Sequence, residues 1–364
     1  MKDGMIEGFR HVLGRHCEST SMRDVLEFIG LPFSESMVFG LDATMGFSYI
    51  KGKSSDAFPF FIGGKQGTIT KESLACRVLG VKVTEEQFQS AERAWERSKQ
   101  LLLKNIPLLI RIEMAYLPYI NLPKGEFFGG HIISLVGFDE KNAFLYERDR
   151  EAPVELPIEV LLKARSSKED KWFQPMNTHF ILEKGPKRPP LAAAMKLGIR
   201  KIVENMLAAS VNFIGIQGMR SFVQEIPSWK ELLKGNLVRS GQTGSKTLIT
   251  PQLLYGYIEE FGTGGALFRN LFGDFLEEAI SHPDIVGGPR PWTGEELQLV
   301  RDQLELIRQS AQNWTAFAHE LKRAVEVAKE DCVEELDLEK LQNWGSENLA
   351  LEERAFRNLN KLKL

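Results

Sequence analysis

The chain has 364 residues, 43% hydrophobic and 26% charged, a globular balance that excludes a fibre or a disordered tail protein. Forty-six Lys and Arg stand against 49 Asp and Glu, and a net charge of -3 lacks the basic excess of a general nucleic-acid binder. Three widely separated cysteines, Cys17, Cys76 and Cys332, exclude a disulfide framework and a CxxC-type zinc site. No apolar run reaches the roughly 18 residues of a membrane span, and Met1 to Gly8 carries no apolar signal core. A cytoplasmic protein without membrane or nucleic-acid partners is expected, and no cofactor or metal motif is read.

The length predicts at least two domains. The clearest break is Lys184-Gly185-Pro186-Lys187-Arg188-Pro189-Pro190, whose prolines cannot continue a helix or a strand. The expected division is therefore a domain over 1–184, a linker over 185–190 and a second domain over 191–364. In the first half, Met22, Val25, Leu26 and Ile29 have the spacing of an amphipathic helix from Cys17, closed by Gly30. Helical patterns follow at about 70–80 and 84–104. Strands are predicted over Ile106 to Ala115, Ile132 to Phe138 and Ala143 to Tyr146, the last two joined by the turn Asp139 to Asn142. A short helix from Pro157 to Arg165 and a strand from Thr178 to Leu182 complete an α+β half.

Beyond Pro190 the patterns are helical, at about 191–209, 226–234, 249–260 and 264–281. Thr293-Gly294-Glu295-Glu296 then fits a capping box that opens one long helix. Its seam, Leu297, Val300, Leu304, Ile307, Ala311, Trp314, Ala318, Leu321, Val325 and Ala328, alternates steps of three and four. Either this seam packs inside its own domain, with 347–364 as partner, or the helix over 293–328 forms a homodimer.

Cys17 is the candidate nucleophile. A thiol at a helix N-terminus meets the positive end of the macrodipole and unpaired N–H groups, which favour the thiolate and can hold an oxyanion. Cys76 lies in an apolar helical pattern and Cys332 in an acidic stretch. A thiolate needs a base, and the base an orienting group. His131 opens a strand behind Phe127-Phe128-Gly129-Gly130, and an antiparallel hairpin brings 149–151 beside it, which singles out Asp149 over the turn residue Asp139.

Several motifs in order carry a resemblance: His16-Cys17-Glu18-Ser19-Thr20, Gly40-Leu41-Asp42-Ala43-Thr44-Met45-Gly46-Phe47, Gly130-His131 through Gly137-Phe138-Asp139, Asp149-Arg150 and Leu161 to Arg165. Together they resemble the N-terminal domain of the butirosin biosynthesis protein H family, and Gly262-Thr263-Gly264-Gly265-Ala266-Leu267-Phe268-Arg269 resembles its usual helical partner domain. The resemblance implies a papain-like (cysteine-proteinase-like) α+β domain followed by a mostly α-helical one, similar also to bacteriocin-processing thiol peptidases. The family's namesake moves an aminoacyl group from a carrier-protein thioester to an aminoglycoside amine. The implied roles are nucleophile for Cys17, base for His131 and orienting acid for Asp149.

Papain-like enzymes place a Gln about six residues before the Cys; this chain has His11 there, which leaves the Cys17 N–H as oxyanion donor. His11, His16, Gly264 and Gly265 are secondary candidates for oxyanion or substrate contacts, and Asp274, Glu277 and Glu278 for an amine. Gly241 to Thr247 approaches a P-loop, but Ser245 separates Gly244 from Lys246 and no apolar strand feeds it. The expected activity is acyl transfer from a thioester donor, such as an acyl carrier protein, through Cys17 to a small amine. A cysteine peptidase or amidase with the same triad, and a non-catalytic scaffold, are the alternatives.

Overall fold

The computed structural model describes residues 5–52, 59–120, 122, 127–170, 172–208, 211–239, 242–328 and 332–363. The elements up to the linker are α1 (Cys17–Phe28), α2 (Glu35–Asp42), β1 (Met45–Lys51), β2 (Phe60–Lys65), α3 (Leu74–Val78) and β3 (Val81–Glu86). They continue with α4 (Ala91–Leu102), β4 (Leu108–Ile112), β5 (His131–Phe138), β6 (Asn142–Tyr146), β7 (Val154–Pro157), α5 (Ile158–Ser166) and β8 (His179–Lys184). Beyond it come α6 (Leu191–Leu207), α7 (Gly215–Glu225), α8 (Trp229–Leu232), the hairpin β9 (Asn236–Arg239) and β10 (Gln242–Ser245), and α9 (Lys246–Tyr255). Then α10 (Arg269–Ser281), α11 (Pro283–Val286), α12 (Gly294–Val327) and α13 (Leu338–Leu359) close the chain. The protein is α+β, with a sheet in its N-terminal part and helices in its C-terminal part.

The chain forms two compact units, Met1–Val38 with Thr68–Pro189, and Phe39–Gly67 with Pro190–Leu364. This differs from the contiguous division expected from the sequence, because residues 39–67 belong with the helices. Aromatic packing is the reason. Phe47 and Tyr49 on β1 and Phe60 on β2 place their rings against Phe222 of α7, with centroids 6.1, 5.6 and 6.4 Å away. Trp229 and Trp314 stack on the same group, so the hairpin contributes core to the helical unit.

In the first unit, six antiparallel strands run in the order β3-β8-β4-β5-β6-β7. Alternation along β5 divides its side chains: Ile133 and Leu135 join a core with Trp95 and Leu101 of α4 and Leu161 of α5. Ser134 turns toward α1, where its hydroxyl reaches the Ser21 carbonyl at 3.5 Å. Helix α1 ends as its sequence dictates. Gly30 adopts φ 80, and the Gly30 and Leu31 N–H groups bond the Glu27 and Leu26 carbonyls, a Schellman closure that needs the left-handed glycine.

The helix expected over 84–104 is instead β3 followed by α4. Val81 and Val83 alternate with polar residues on a strand paired to β8, and Ser90 starts the helix by accepting the Arg93 N–H at 3.2 Å. The capping box at Thr293 is present in both directions, at 2.9 and 3.1 Å. Its helix, α12, packs on α9, α10 and α13, and Val300, Leu304, Ile307, Ala311, Trp314, Ala318 and Leu321 are buried within the unit. These seven seam residues are thus covered by the unit's own helices, while Leu297, Val325 and Ala328 are half-buried. No described helix is long and apolar enough to cross a membrane.

Candidate active site

The turn before α1 is built around one carboxylate. Buried Glu35, in the first turn of α2, accepts the N–H groups of Arg15 and His16 at 3.0 and 2.8 Å. The same group takes the Ser19 and Thr20 hydroxyls, each at 3.0 Å. Gly14 lets this turn close, since a Cβ there would lie 2.0 Å from the Thr20 hydroxyl, and its N–H bonds the Arg148 carbonyl at 2.7 Å. Cys17 is therefore delivered as the first residue of α1 by a fixed turn, with a backbone N–H that no helical carbonyl can reach.

His131 is the first residue of β5 and is buried. The loop before it is pinned by two carboxylates: Glu113 accepts the Phe128 N–H at 2.6 Å and Asp170 the Gly129 N–H at 3.0 Å. Burial pushes the Glu113 carboxyl up, against the pull of its two backbone N–H donors. The His131 ring contacts the Cys17 thiol on one side. On the other, its Nε2 lies 2.9 and 3.0 Å from the two carboxylate oxygens of Glu147, so Nδ1 is the nitrogen left for the sulfur. The Tyr119 hydroxyl donates to Glu147 Oε1 at 3.0 Å.

The electrostatics follow from this contact chain. Burial pushes the Cys17 thiol up, but His16 and His131 outweigh it and hold the group well below its ordinary range. Burial alone would strip the proton from His131; Glu147 and Cys17 reverse that and raise the imidazole to about 10. Glu147 is pushed up by burial, yet His131 and the Tyr119 hydroxyl bring it below the usual carboxylate range. Tyr119 is itself raised, by burial first and then by Glu147. These directions all favour a thiolate beside an imidazolium, backed by a carboxylate.

Among the residues singled out in the sequence, Cys17 and His131 are brought together. Asp149 is not placed on the ring: it is exposed in the turn after β6, and Glu147 stands where the orienting acid was expected. The registered pairs Leu135–Leu145 and Ser134–Tyr146 would, if continued, set residue 149 opposite His131. The ladder stops at Tyr146, however, and the Arg150 N–H closes a turn on the Glu147 carbonyl, leaving Glu147 to reach inward.

His11 does not act on the thiol. Its Nδ1 meets Asp24 Oδ2 at 2.6 Å and its ring stacks on Tyr146 at 4.5 Å. His16 does act on it, and caps α1.

In the helical unit, Gly264 and Gly265 have φ 69 and 82 and lead into a left-handed run at Ala266, Leu267 and Phe268. The N–H groups there are taken internally: Gly265 donates to the Thr263 hydroxyl at 3.2 Å and Ala266 to Glu259 at 3.3 Å. These two N–H groups are therefore spent within the unit. Arg308 meets both Asp274 and Glu277 at 2.6 Å, so two of the three carboxylates considered for an amine share one cation of the chain itself. Arg269 is fully buried in a bidentate pair with Glu352 at 2.9 and 2.8 Å. Cys76 and Cys332 are buried, and Gly241 of the P-loop-like segment lies outside the described residues.

Two family models match separate stretches of the chain. Residues 16–148 match Butirosin biosynthesis protein H, N-terminal, and residues 159–359 match a domain of unknown function, DUF4872. The chain belongs to the butirosin biosynthesis protein H family. For this family member, the N-terminal match contains Cys17, His131 and Glu147 and stops one residue short of Asp149. Family membership places the protein in secondary-metabolite biosynthesis. None of the curated proteins matches the chain.

Proposed function

We propose that the protein is a cysteine acyltransferase that takes an acyl or aminoacyl group from a thioester donor and passes it to an amine. The observation that carries this reading is the contact chain Cys17–His131–Glu147, with the thiol on the first residue of a helix. A papain-like domain is supported by the arrangement of parts: a helix bearing the Cys at its start, packed on an antiparallel strand that begins with the His.

In the first half-reaction the Cys17 thiolate attacks the thioester carbon, and a carbon–sulfur bond forms. The resulting oxyanion lies at the α1 N-terminus, where the Cys17 N–H and the helix dipole stabilise it. Collapse breaks the donor's carbon–sulfur bond, and the departing thiolate takes the proton of the His131 imidazolium. An amine then attacks the acyl-enzyme and surrenders its proton to His131, now neutral. The second collapse expels the Cys17 thiolate and restores the ion pair. Glu147 keeps the ring oriented and stabilises its charged form throughout.

A thioester donor suits this chemistry because exchange between two thiols is nearly isoenergetic, which leaves aminolysis as the committed step. Water in place of the amine would make the same site a peptidase or amidase. The discriminating experiment loads the protein with a thioester model donor and measures how the acyl group partitions between water and a panel of polyamines and aminoglycosides. Amide formation exceeding hydrolysis supports transfer; acyl-enzyme that is only hydrolysed across the panel supports the hydrolase; no acyl-enzyme in folded protein supports a scaffold.

A further inference from the structure

Glu147 orients the His131 ring, yet that contact does not fix Glu147 itself. Its two carboxylate oxygens lie 2.9 and 3.0 Å from the same nitrogen, Nε2. A single N–H placed between two acceptors does not define the plane of a carboxylate. A glutamate side chain also has several rotatable bonds, and their freedom must be overcome if the group is to stay in one orientation. Glu147 stands one residue past β6, where strand pairing no longer positions it.

Tyr119 supplies the missing constraint. Its hydroxyl donates to Oε1 at 3.0 Å, which makes the two carboxylate oxygens unequal. The residue lies on the connection between β4 and β5, with its ring packed against the apolar core of the sheet. Arg150 grips it as well: the guanidinium carbon sits 5.0 Å from the ring centroid, and Nη2 donates to the Tyr119 carbonyl at 3.3 Å. The Arg150 N–H in turn closes on the Glu147 carbonyl, at 3.3 Å. One turn thus carries both the carboxylate and the arginine that holds the tyrosine. Glu147 is only 3% exposed, so water is a poor substitute for the hydroxyl.

We propose that Tyr119 is a positioning residue of the acyl transfer: its hydroxyl sets the plane of the Glu147 carboxylate, and through that carboxylate the orientation of the His131 ring. The inference rests on the Cys17–His131–Glu147 reading of the site. Tyr119 touches no reacting atom and moves no proton. It restricts Glu147 to the orientation that holds the ring through both half-reactions, so its loss lowers the rate of acylation and not the affinity for the donor.

Tyr119→Phe removes the hydroxyl and keeps the ring that Arg150 and the core hold. The readout is single-turnover acylation of the full-length chain by an aminoacyl N-acetylcysteamine thioester, followed by mass spectrometry. Wild type, Tyr119→Phe, Glu147→Ala and the double variant are compared. Tyr119→Phe should lower the maximal acylation rate by about ten-fold, the scale of a hydrogen bond to a charged group, and leave the half-saturating donor concentration unchanged. In the Glu147→Ala background the same change should cost less than about two-fold, because the group it acts through is already gone.

An equal loss in both backgrounds would make Tyr119 a structural residue and overturn the proposal. So would a Tyr119→Phe rate within about two-fold of wild type while Glu147→Ala is slow. Either result leaves the Cys17–His131–Glu147 reading standing. A Glu147→Ala chain that acylates as fast as wild type would overturn that reading, and the role of Tyr119 with it. Unfolding temperatures are measured alongside: Tyr119→Phe should be folded at the assay temperature, and a chain already unfolded there would also overturn the proposal in favour of structural support.

Discussion

Glu147 sets both carboxylate oxygens on Nε2 of His131, at 2.9 and 3.0 Å, while Asp149 stands exposed two residues further on. A buried carboxylate against a buried imidazole fixes the tautomer and favours the protonated ring, which is what a thiolate partner requires. Glu147→Gln or Glu147→Ala should therefore slow acyl-enzyme formation by about 10²- to 10⁴-fold. Asp149→Asn should leave the rate within about two-fold, as for an exposed group away from the reacting atoms. Single-turnover acylation rates of the three variants check this, and equal losses at both positions would return Asp149 to the site.

The pH dependence has a defined sign. The Cys17 thiol is held below its ordinary range and the His131 imidazole is raised to about 10, so the ion pair spans neutral pH. Acylation rate should be flat around pH 7, fall in acid as the thiolate is protonated and fall in alkali as His131 loses its proton near 10. Stability carries the same signature. The folded chain keeps a proton on His131 up to about 10, but between about pH 6.5 and 8.5 the unfolded chain holds one on the Cys17 thiol instead, so the pair adds little slope there and its stabilisation is lost as the pH rises from about 8.5 toward 10. Urea unfolding followed between about pH 6 and 10 should show a steeper loss of stability above about pH 8.5 in wild type than in His131→Gln.

Thiol reactivity should be selective. Cys17 is partly exposed and thiolate-like, whereas Cys76 and Cys332 are buried. Iodoacetamide at neutral pH should modify Cys17 at least about ten-fold faster than either of the others, because thiolate fraction and access control the rate. Peptide mapping of partly labelled protein gives the ratio.

The helical unit has its own point of failure in the buried pair Arg269–Glu352. Glu352 also accepts the Ser310 hydroxyl at 2.7 Å and the Trp314 indole N–H at 3.0 Å. Arg269→Met would leave this carboxylate buried without its cation. A loss of about 3–5 kcal/mol in unfolding free energy is expected, measured by chemical denaturation.

The parts of the site that are legible in the sequence are those set by local structure. Cys17 stands out because an amphipathic period and a closing Gly30 locate a helix start, and His131 because an apolar run locates a strand start. The acid lies two residues from where the pattern puts it. Apolar alternation fixes a register but says nothing of where the ladder ends, and the ladder ends at Tyr146. Likewise the glycine turn at Gly264 and Gly265 is legible in the sequence, while the contact of Glu259 with the Ala266 N–H beside it is one that spacing does not reveal.

The hairpin of β1 and β2 escapes a reading of the sequence for a different reason. Phe47, Tyr49 and Phe60 are ordinary apolar residues locally, and only the tertiary ring cluster around Phe222 assigns them to the helical unit. The long seam of α12 is legible as a stripe, while the helices that cover it emerge only from the packing.

The central claim is that Cys17 carries the acyl group. Intact-protein mass spectrometry after exposure to an aminoacyl or acyl thioester tests it most directly. Wild type should gain the mass of one acyl group, mapped to Cys17 and discharged on adding an amine, and Cys17→Ala should gain none. An adduct that persists in Cys17→Ala, or a folded wild type that takes up no acyl group from any donor, would contradict the account.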